Sequence, residues 1–158
     1  MLERLTPRNL DDGFRGHRAA LWLFVPIVSM RIAISLLHIF SADGGAQSIS
    51  TMPLDSYPAG ASQNVIAMFA RMGVEQLVLG ILCLVALLRY RALVPLMYAL
   101  ICLQYLADEA LARFKPLSLS ATSGASTPAL VLTVLSIAGL VLSLVGKGYA
   151  TNSRSTAP

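Results

Sequence analysis

Four apolar runs, about Ala20–Phe40, Val65–Leu88, Leu93–Leu111 and Ala129–Gly146, take up most of this 158-residue chain. Each has close to the ~20 residues that an α-helix needs to cover roughly 30 Å of hydrocarbon. Backbone polar groups find no water in that layer, so a spanning segment must satisfy them internally as a helix or within a closed barrel. Continuous apolar runs, rather than alternating ones, choose the helix. Apolar residues make up 56% of the chain and charged residues 13%, too little charge to cover a water-soluble surface of ordinary type. The sequence therefore predicts an all-α membrane protein, a bundle of four transmembrane helices in up-down order with the N- and C-termini on the same side. The segments left over are too short for a separate catalytic domain.

The run boundaries carry their own signals. The first run follows an arm containing Arg4, Arg8, Arg15 and Arg18. It is too long for the apolar core of a signal peptide and holds Arg31 at its middle, so a retained helix is expected. Pro26 within it predicts a kink whose freed carbonyl neighbouring helices can satisfy. Ser41 to Ser62 reads as a loop rich in Gly, Pro, Ser and Asp without Lys or Arg. Runs two and three are joined by a tight turn at Arg89-Tyr90-Arg91, with Pro95 in the first turn of the third helix, where its missing N–H has no acceptor to lose. Thr127-Pro128 has the form of an N-cap followed by proline at the first helical position. The expected organisation is a basic arm over 1–19, a four-helix domain over 20–146 and a polar tail over 147–158.

Orientation follows from the cations at the run ends, because Lys and Arg resist translocation. One side holds eight of them (Arg4, Arg8, Arg15, Arg18, Arg89, Arg91, Lys147, Arg154) and the other only Arg113 and Lys115. The arm, the turn and the tail are thus expected in the cytoplasm. The net charge of +4 serves this asymmetry. It forms no basic, aromatic-interleaved surface of the kind that binds nucleic acid. Trp22, Tyr90, Phe114 and Tyr149 lie near run ends, where amphipathic rings suit the interface.

Ionisable side chains inside hydrocarbon cost roughly 2.5 to 3.5 kcal/mol each on insertion scales, so they are expected to face the bundle interior and find partners. Arg31 and His38 lie on the first helix, Arg71 and Glu75 on the second, Gln104, Asp108 and Glu109 on the third. Arg31, Ser35 and His38 share one helical face, and Arg71/Glu75 and Gln104/Asp108 are each four apart. If the helices alternate in direction, these residues fall in the outer half or the middle of the membrane and can form one network. Two arginines against three carboxylates need one further proton, on His38 or on a carboxylic acid. Two readings stand side by side. The network locks three helices in register, or it is a proton or ligand site.

Other chemistry is poorly represented. His17 lies on the arm, so no second in-membrane histidine accompanies His38, and bis-histidine haem ligation is excluded. Cys83 and Cys102 belong to no Cys-x-x-Cys pair and read as buried apolar fillers. The outer loops have no cysteine, unlike disulfide-stapled ectodomains. No phosphate loop, zinc motif or nucleophile elbow occurs. Neither a catalytic residue, a metal site nor a cofactor is expected. Ser136, Gly139 and Ser143 form a small-residue stripe on the fourth helix that permits close approach of another helix, within the chain or from a second copy.

Arg31, the run Arg71-Met72-Gly73-Val74-Glu75-Gln76-Leu77-Val78-Leu79-Gly80 and the short basic turn into the third helix resemble the small four-helix membrane proteins of the DoxX-like group and related families of unknown function, over about residues 20 to 146. The resemblance implies a four-helix bundle and, for some relatives, association with redox or thiol-handling membrane complexes. Together these features predict a non-enzymatic accessory subunit or small-ligand binding protein. Its partners would be the lipid bilayer and a membrane protein or further copies of itself. The alternatives are a proton-coupled small-solute carrier using Glu75, Asp108 or Glu109, and a quinone-binding oxidoreductase subunit engaging its ligand near His38.

Overall fold

Residues 5–6 and 13–145 are described in the computed structural model of the chain, so the polar tail and most of the basic arm lie outside the described residues. Four long helices account for most of the rest: α1 (Arg18–Phe40), α2 (Ala59–Leu88), α3 (Val94–Phe114) and α4 (Ser126–Leu144). All four, α3 together with the 3-10 turn Arg91–Leu93 before it, are long and apolar enough to cross a membrane, and no strand occurs among the described residues. Trp22 and Phe40 are each nearly four-fifths exposed. Eighteen residues apart at ~1.5 Å per residue, they bracket roughly 27 Å of α1, close to the thickness of the hydrocarbon layer.

Several helix ends differ from expectation by two or three residues, α3 for instance running to Phe114, and the starts of α2 and α4 differ for reasons of local chemistry. The second helix starts at Ala59, not Val65, because Pro58 precedes a turn in which the Ser62 hydroxyl donates to the Leu54 carbonyl at 2.8 Å. The fourth starts at Ser126, so Thr127 is not its cap and Pro128 falls two steps deeper into the first turn. Ser123 supplies the end contacts instead. Its hydroxyl accepts from the Ala125 N–H at 3.2 Å, and its carbonyl accepts from the Ser126 hydroxyl at 2.7 Å. Proline is tolerated throughout a first turn because no N–H there has an intrahelical acceptor. Through Pro26 the first helix is continuous.

Helix α1 is the centre of the bundle, packing most extensively on α2 and next on α4, while α3 packs on α4 and only sparsely on α2. Small residues set each close approach, as expected where lipid offers apolar side chains no hydrophobic gain. A methyl group added at Gly73 would stand 2.8 Å from the His38 Cβ and 2.9 Å from the Ser35 carbonyl oxygen; one at Gly80 would meet Ile32 at 3.1 Å. That register runs α2 antiparallel to α1. On α4, Gly139 receives the ring of Tyr98, which would lie within 2.3 Å of an added methyl. Ser136 and Ser143 are buried beside it, so the small-residue stripe of α4 faces its own bundle. Tyr98 also donates its hydroxyl proton to the Ala20 carbonyl at 2.8 Å and packs its ring on Phe24 at 4.7 Å. One side chain thereby joins α1, α3 and α4.

The contact at Gly139 generates a stability prediction. Gly139→Ala forces the Tyr98 ring out of its place and is expected to destabilise the bundle by about 1–3 kcal/mol, seen as a lower melting temperature in mild detergent. Gly60→Ala, at a helical site with open space around it, is expected to leave the melting temperature unchanged or raised, since helical glycine is disfavoured relative to alanine. Equal melting temperatures for the two variants would remove Tyr98 and Gly139 from this role.

Candidate functional site

Arg31 is the one charged side chain that the described bundle encloses, 5% exposed. It sits on the face of α1 that also carries Phe24, Ile27, Ser35 and His38, all turned inward. Its backbone is fixed by Ser35, whose hydroxyl donates to the Arg31 carbonyl at 2.7 Å. Its guanidinium donates through Nη2 to Oε1 of Gln104 on α3, while its Nε is buried and has no acceptor. Tyr105, Asp108 and Cys83 lie within electrostatic reach of this charge. No carboxylate among the described residues approaches it to ion-pair distance. Among the described residues the only such pair is Arg113 with Glu109, 3.2 Å apart and exposed on α3.

The six ionisable residues therefore do not assemble into one buried network. Arg31 and Gln104 meet, and Asp108 lies nearby from an exposed position. Glu109 is taken by Arg113 at the surface. Arg71 and Glu75, expected to point inward, are both exposed and are not paired with each other. Helical phase explains this. Each lies two residues, about 200° of rotation, from Gly73, and Gly73 is the residue α2 turns toward α1. The cost of exposed charge pointed the pair inward; the need for a close approach at Gly73 and Gly80 turned it outward. Those two glycines, seven residues apart, were the available sequence signal. Tyr105 was missed as a neighbour of Arg31, although it follows the buried Tyr98 by the same seven-residue step.

His38 belongs to a second, smaller assembly at the end of α1. Its Nδ1 lies 2.7 Å from the Gly44 carbonyl oxygen, and its ring meets Phe69 edge-on at 5.8 Å. The loop after α1 folds back over this point and buries Ala46, Met52 and Leu54 against Tyr57, Val65, Ile66 and Phe69. Gly44 and Gly45 both adopt positive φ, 62° and 79°, which glycine accommodates without strain. Asp43 organises the turn by accepting from the N–H groups of Gly45, Gln47 and Ser48 at 2.9, 3.1 and 2.6 Å. The α3–α4 connection joins this cap: the Ser120 N–H donates to the Thr51 carbonyl at 3.0 Å and the Gly124 N–H to that of Ile49 at 2.9 Å. His38 is thus occupied in fastening the loop to α1.

Among the described residues no three His, Cys, Asp or Glu side chains converge as metal ligands would. Cys83 and Cys102 are both buried free thiols. No protein-family model matches this chain, and neither does any curated protein or solved structure.

Partial burial raises the proton affinity of the Asp43 carboxyl, but the N–H groups of Ser48, Gly45 and Gln47 outweigh that effect and hold it well below its ordinary value. A carboxyl with a depressed folded-state pKa stabilises the fold above its unfolded pKa, and that contribution disappears as the pH falls toward the folded value. Asp43→Asn is accordingly expected to cost about 1–2 kcal/mol at pH 7. The gap between variant and native protein should shrink in detergent melts taken below about pH 4. A gap that stays constant with pH would mean that the carboxylate charge does not hold the turn.

Proposed function

We propose that this chain is a bacterial inner-membrane protein of DoxX-like type with both termini in the cytoplasm, and that it binds a small ligand through Arg31. The ligand would carry an acidic or strongly hydrogen-bond-accepting group. One observation carries the reading: Arg31 is only 5% exposed, its guanidinium is held by an amide oxygen with Nε left without an acceptor, and no carboxylate among the described residues stands at ion-pair distance. A buried cation without a counter-ion costs several kcal/mol. A pure register lock would be cheaper as a neutral hydrogen bond or a close ion pair. Gln104, Tyr105 and Asp108 surround the charge with groups that can orient a bound polar molecule, as in sites where a few polar groups stand in an apolar lining. The sparse contact between α2 and α3 supports access from the side of the bundle.

The carrier and quinone alternatives draw less support. Of the carboxyls offered as proton sites, Glu109 is engaged with Arg113, Glu75 faces away from Arg31, and only Asp108 lies within its reach. His38, the anchor suggested for a quinone, is fastened to the Gly44 carbonyl. Accessory association with another membrane protein is compatible with the ligand reading, because a bound molecule can set the exposed surface that a partner meets.

The proposal is tested with Arg31→Met combined with Gln104→Leu, which removes the cation together with its partner. Such paired apolar replacement is often close to neutral, so the double variant is expected to melt within about 1 kcal/mol of the ligand-free native protein. Native mass spectrometry of the gently purified native chain is expected to show a small-molecule adduct, and the double variant is expected to lack it. A double variant that unfolds, or one that keeps the adduct, would assign Arg31 to the register lock. The orientation is tested separately. A reporter active only in the cytoplasm is expected to work at either terminus and to be silent at Ser118 in the exposed α3–α4 connection.

A further inference from the structure

The back of α2 presents a pattern that lipid does not explain. Met68, Arg71, Glu75, Val78, Leu82 and Val85 are all exposed, the apolar ones between 43% and 67%. Their spacing is 3-4-3-4-3, the interval that keeps a helix seam turned toward a second helix through a left-handed crossing. Arg71 and Glu75 occupy consecutive places in that seam and have no hydrogen bond or ion pair among the described residues. They flank Gly73, which lies against Ser35 and His38, so both are level with the part of α1 between Trp22 and Phe40. Arg71 is close enough to the end of α1 for its long side chain to reach the interface. Glu75 is ~6 Å deeper and has a short side chain. Among the described residues no cation, Arg71 included, stands at ion-pair distance from this carboxylate.

We propose that this face of α2 is a dimer interface whose occupant is α2 of a second copy. Two copies inserted in the same direction are related by a two-fold axis along the membrane normal, which sets the two helices parallel and at equal depth. Arg71 and Glu75 of one copy then face the same two residues of the other, one helical turn apart. Each guanidinium reaches the carboxylate of the opposite copy, closing a ring of two arginines and two glutamates about the axis. The surface is complementary to itself because it bears both signs at one-turn spacing. Val78, Leu82 and Val85 continue the contact toward the Arg89 turn, with branched apolar side chains at seam positions. This interface is independent of the ligand reading of Arg31, which lies on another helix and faces the interior.

Disulfide crosslinking of the full chain in native membranes tests the proposal. Val78→Cys, on the seam, is expected to give a covalent homodimer on mild oxidation. Val134→Cys, equally exposed on α4 at 57%, and the unaltered chain with its buried Cys83 and Cys102 are expected to stay monomeric. On the Val78→Cys background, R71E or E75R alone places four like charges in the ring and should lower the dimer yield about tenfold, whereas R71E with E75R restores the alternation and most of the yield. Absence of a Val78 crosslink, equal crosslinking at Val134, or an adduct with a protein of different mass would each overturn the second copy as occupant. A charge exchange that fails to recover the yield, in protein that remains monodisperse in detergent, would overturn the ionic ring.

Discussion

The arrangement of this bundle depends on Tyr98. Its ring lies on Gly139 of α4 and against Phe24 of α1, and its hydroxyl ends on the Ala20 carbonyl. In hydrocarbon no general apolar drive pulls helices together, so association rests on close packing and a few interhelical hydrogen bonds. Tyr98 supplies both in one side chain. Seven residues further along α3, Tyr105 stands on the same face beside Arg31, whose guanidinium donates to the adjacent Gln104. The position of the polar site is therefore a consequence of the apolar contact two turns away.

Most of the helical layout was legible in the sequence because the bilayer reduces the problem to run length. Apolar run, proline and basic turn placed all four helices, with errors of a few residues at the ends. The largest errors lie where local polar chemistry, not hydropathy, decides. Pro58 and the Ser62 hydroxyl carry α2 back to Ala59, and Ser123 starts α4 before Thr127. The ionic network was legible only in part. The inward face of α1 was correctly read from Arg31, Ser35 and His38, which share a phase and are all buried. The face of α2 was not. Pairing rules favoured Arg71 and Glu75 as an interior pair, whereas the volume constraint at Gly73 and Gly80 determined which side of α2 meets α1. Where a charge pair and a glycine pair compete for one helix face, sterics admits no alternative, while a charge can still be satisfied by another chain or at the interface.

His38 illustrates a different limit. A histidine on an inward face reads from sequence as a proton site or ligand anchor. Here the loop over 41–58 returns to the end of α1, and the imidazole is used to hold the Gly44 carbonyl. The turn that makes this possible needs positive φ at two successive glycines and a carboxylate at Asp43 gathering three N–H groups. Gly44-Gly45 after an aspartate is recognisable as turn chemistry. That the turn would close onto His38 is tertiary information, carried by Ile66 and Phe69 more than twenty residues away.

The remaining question is why a chain with so few charges keeps one buried without a counter-ion. Holding α1 against α3 does not require it, since Tyr98 already joins them and Gln104 could be matched by a neutral side chain. The charge also bears a desolvation cost that no carboxylate at contact distance offsets. Asp108 lies near enough to act on Arg31, yet it sits at an exposed position and leaves the Nε unfilled. A site fully neutralised by its own residues gains little from binding an acidic group; one left short of an acceptor gains the interaction it lacks. The buried cation and the vacant donor are thus one physical feature, and they favour a ligand over a lock.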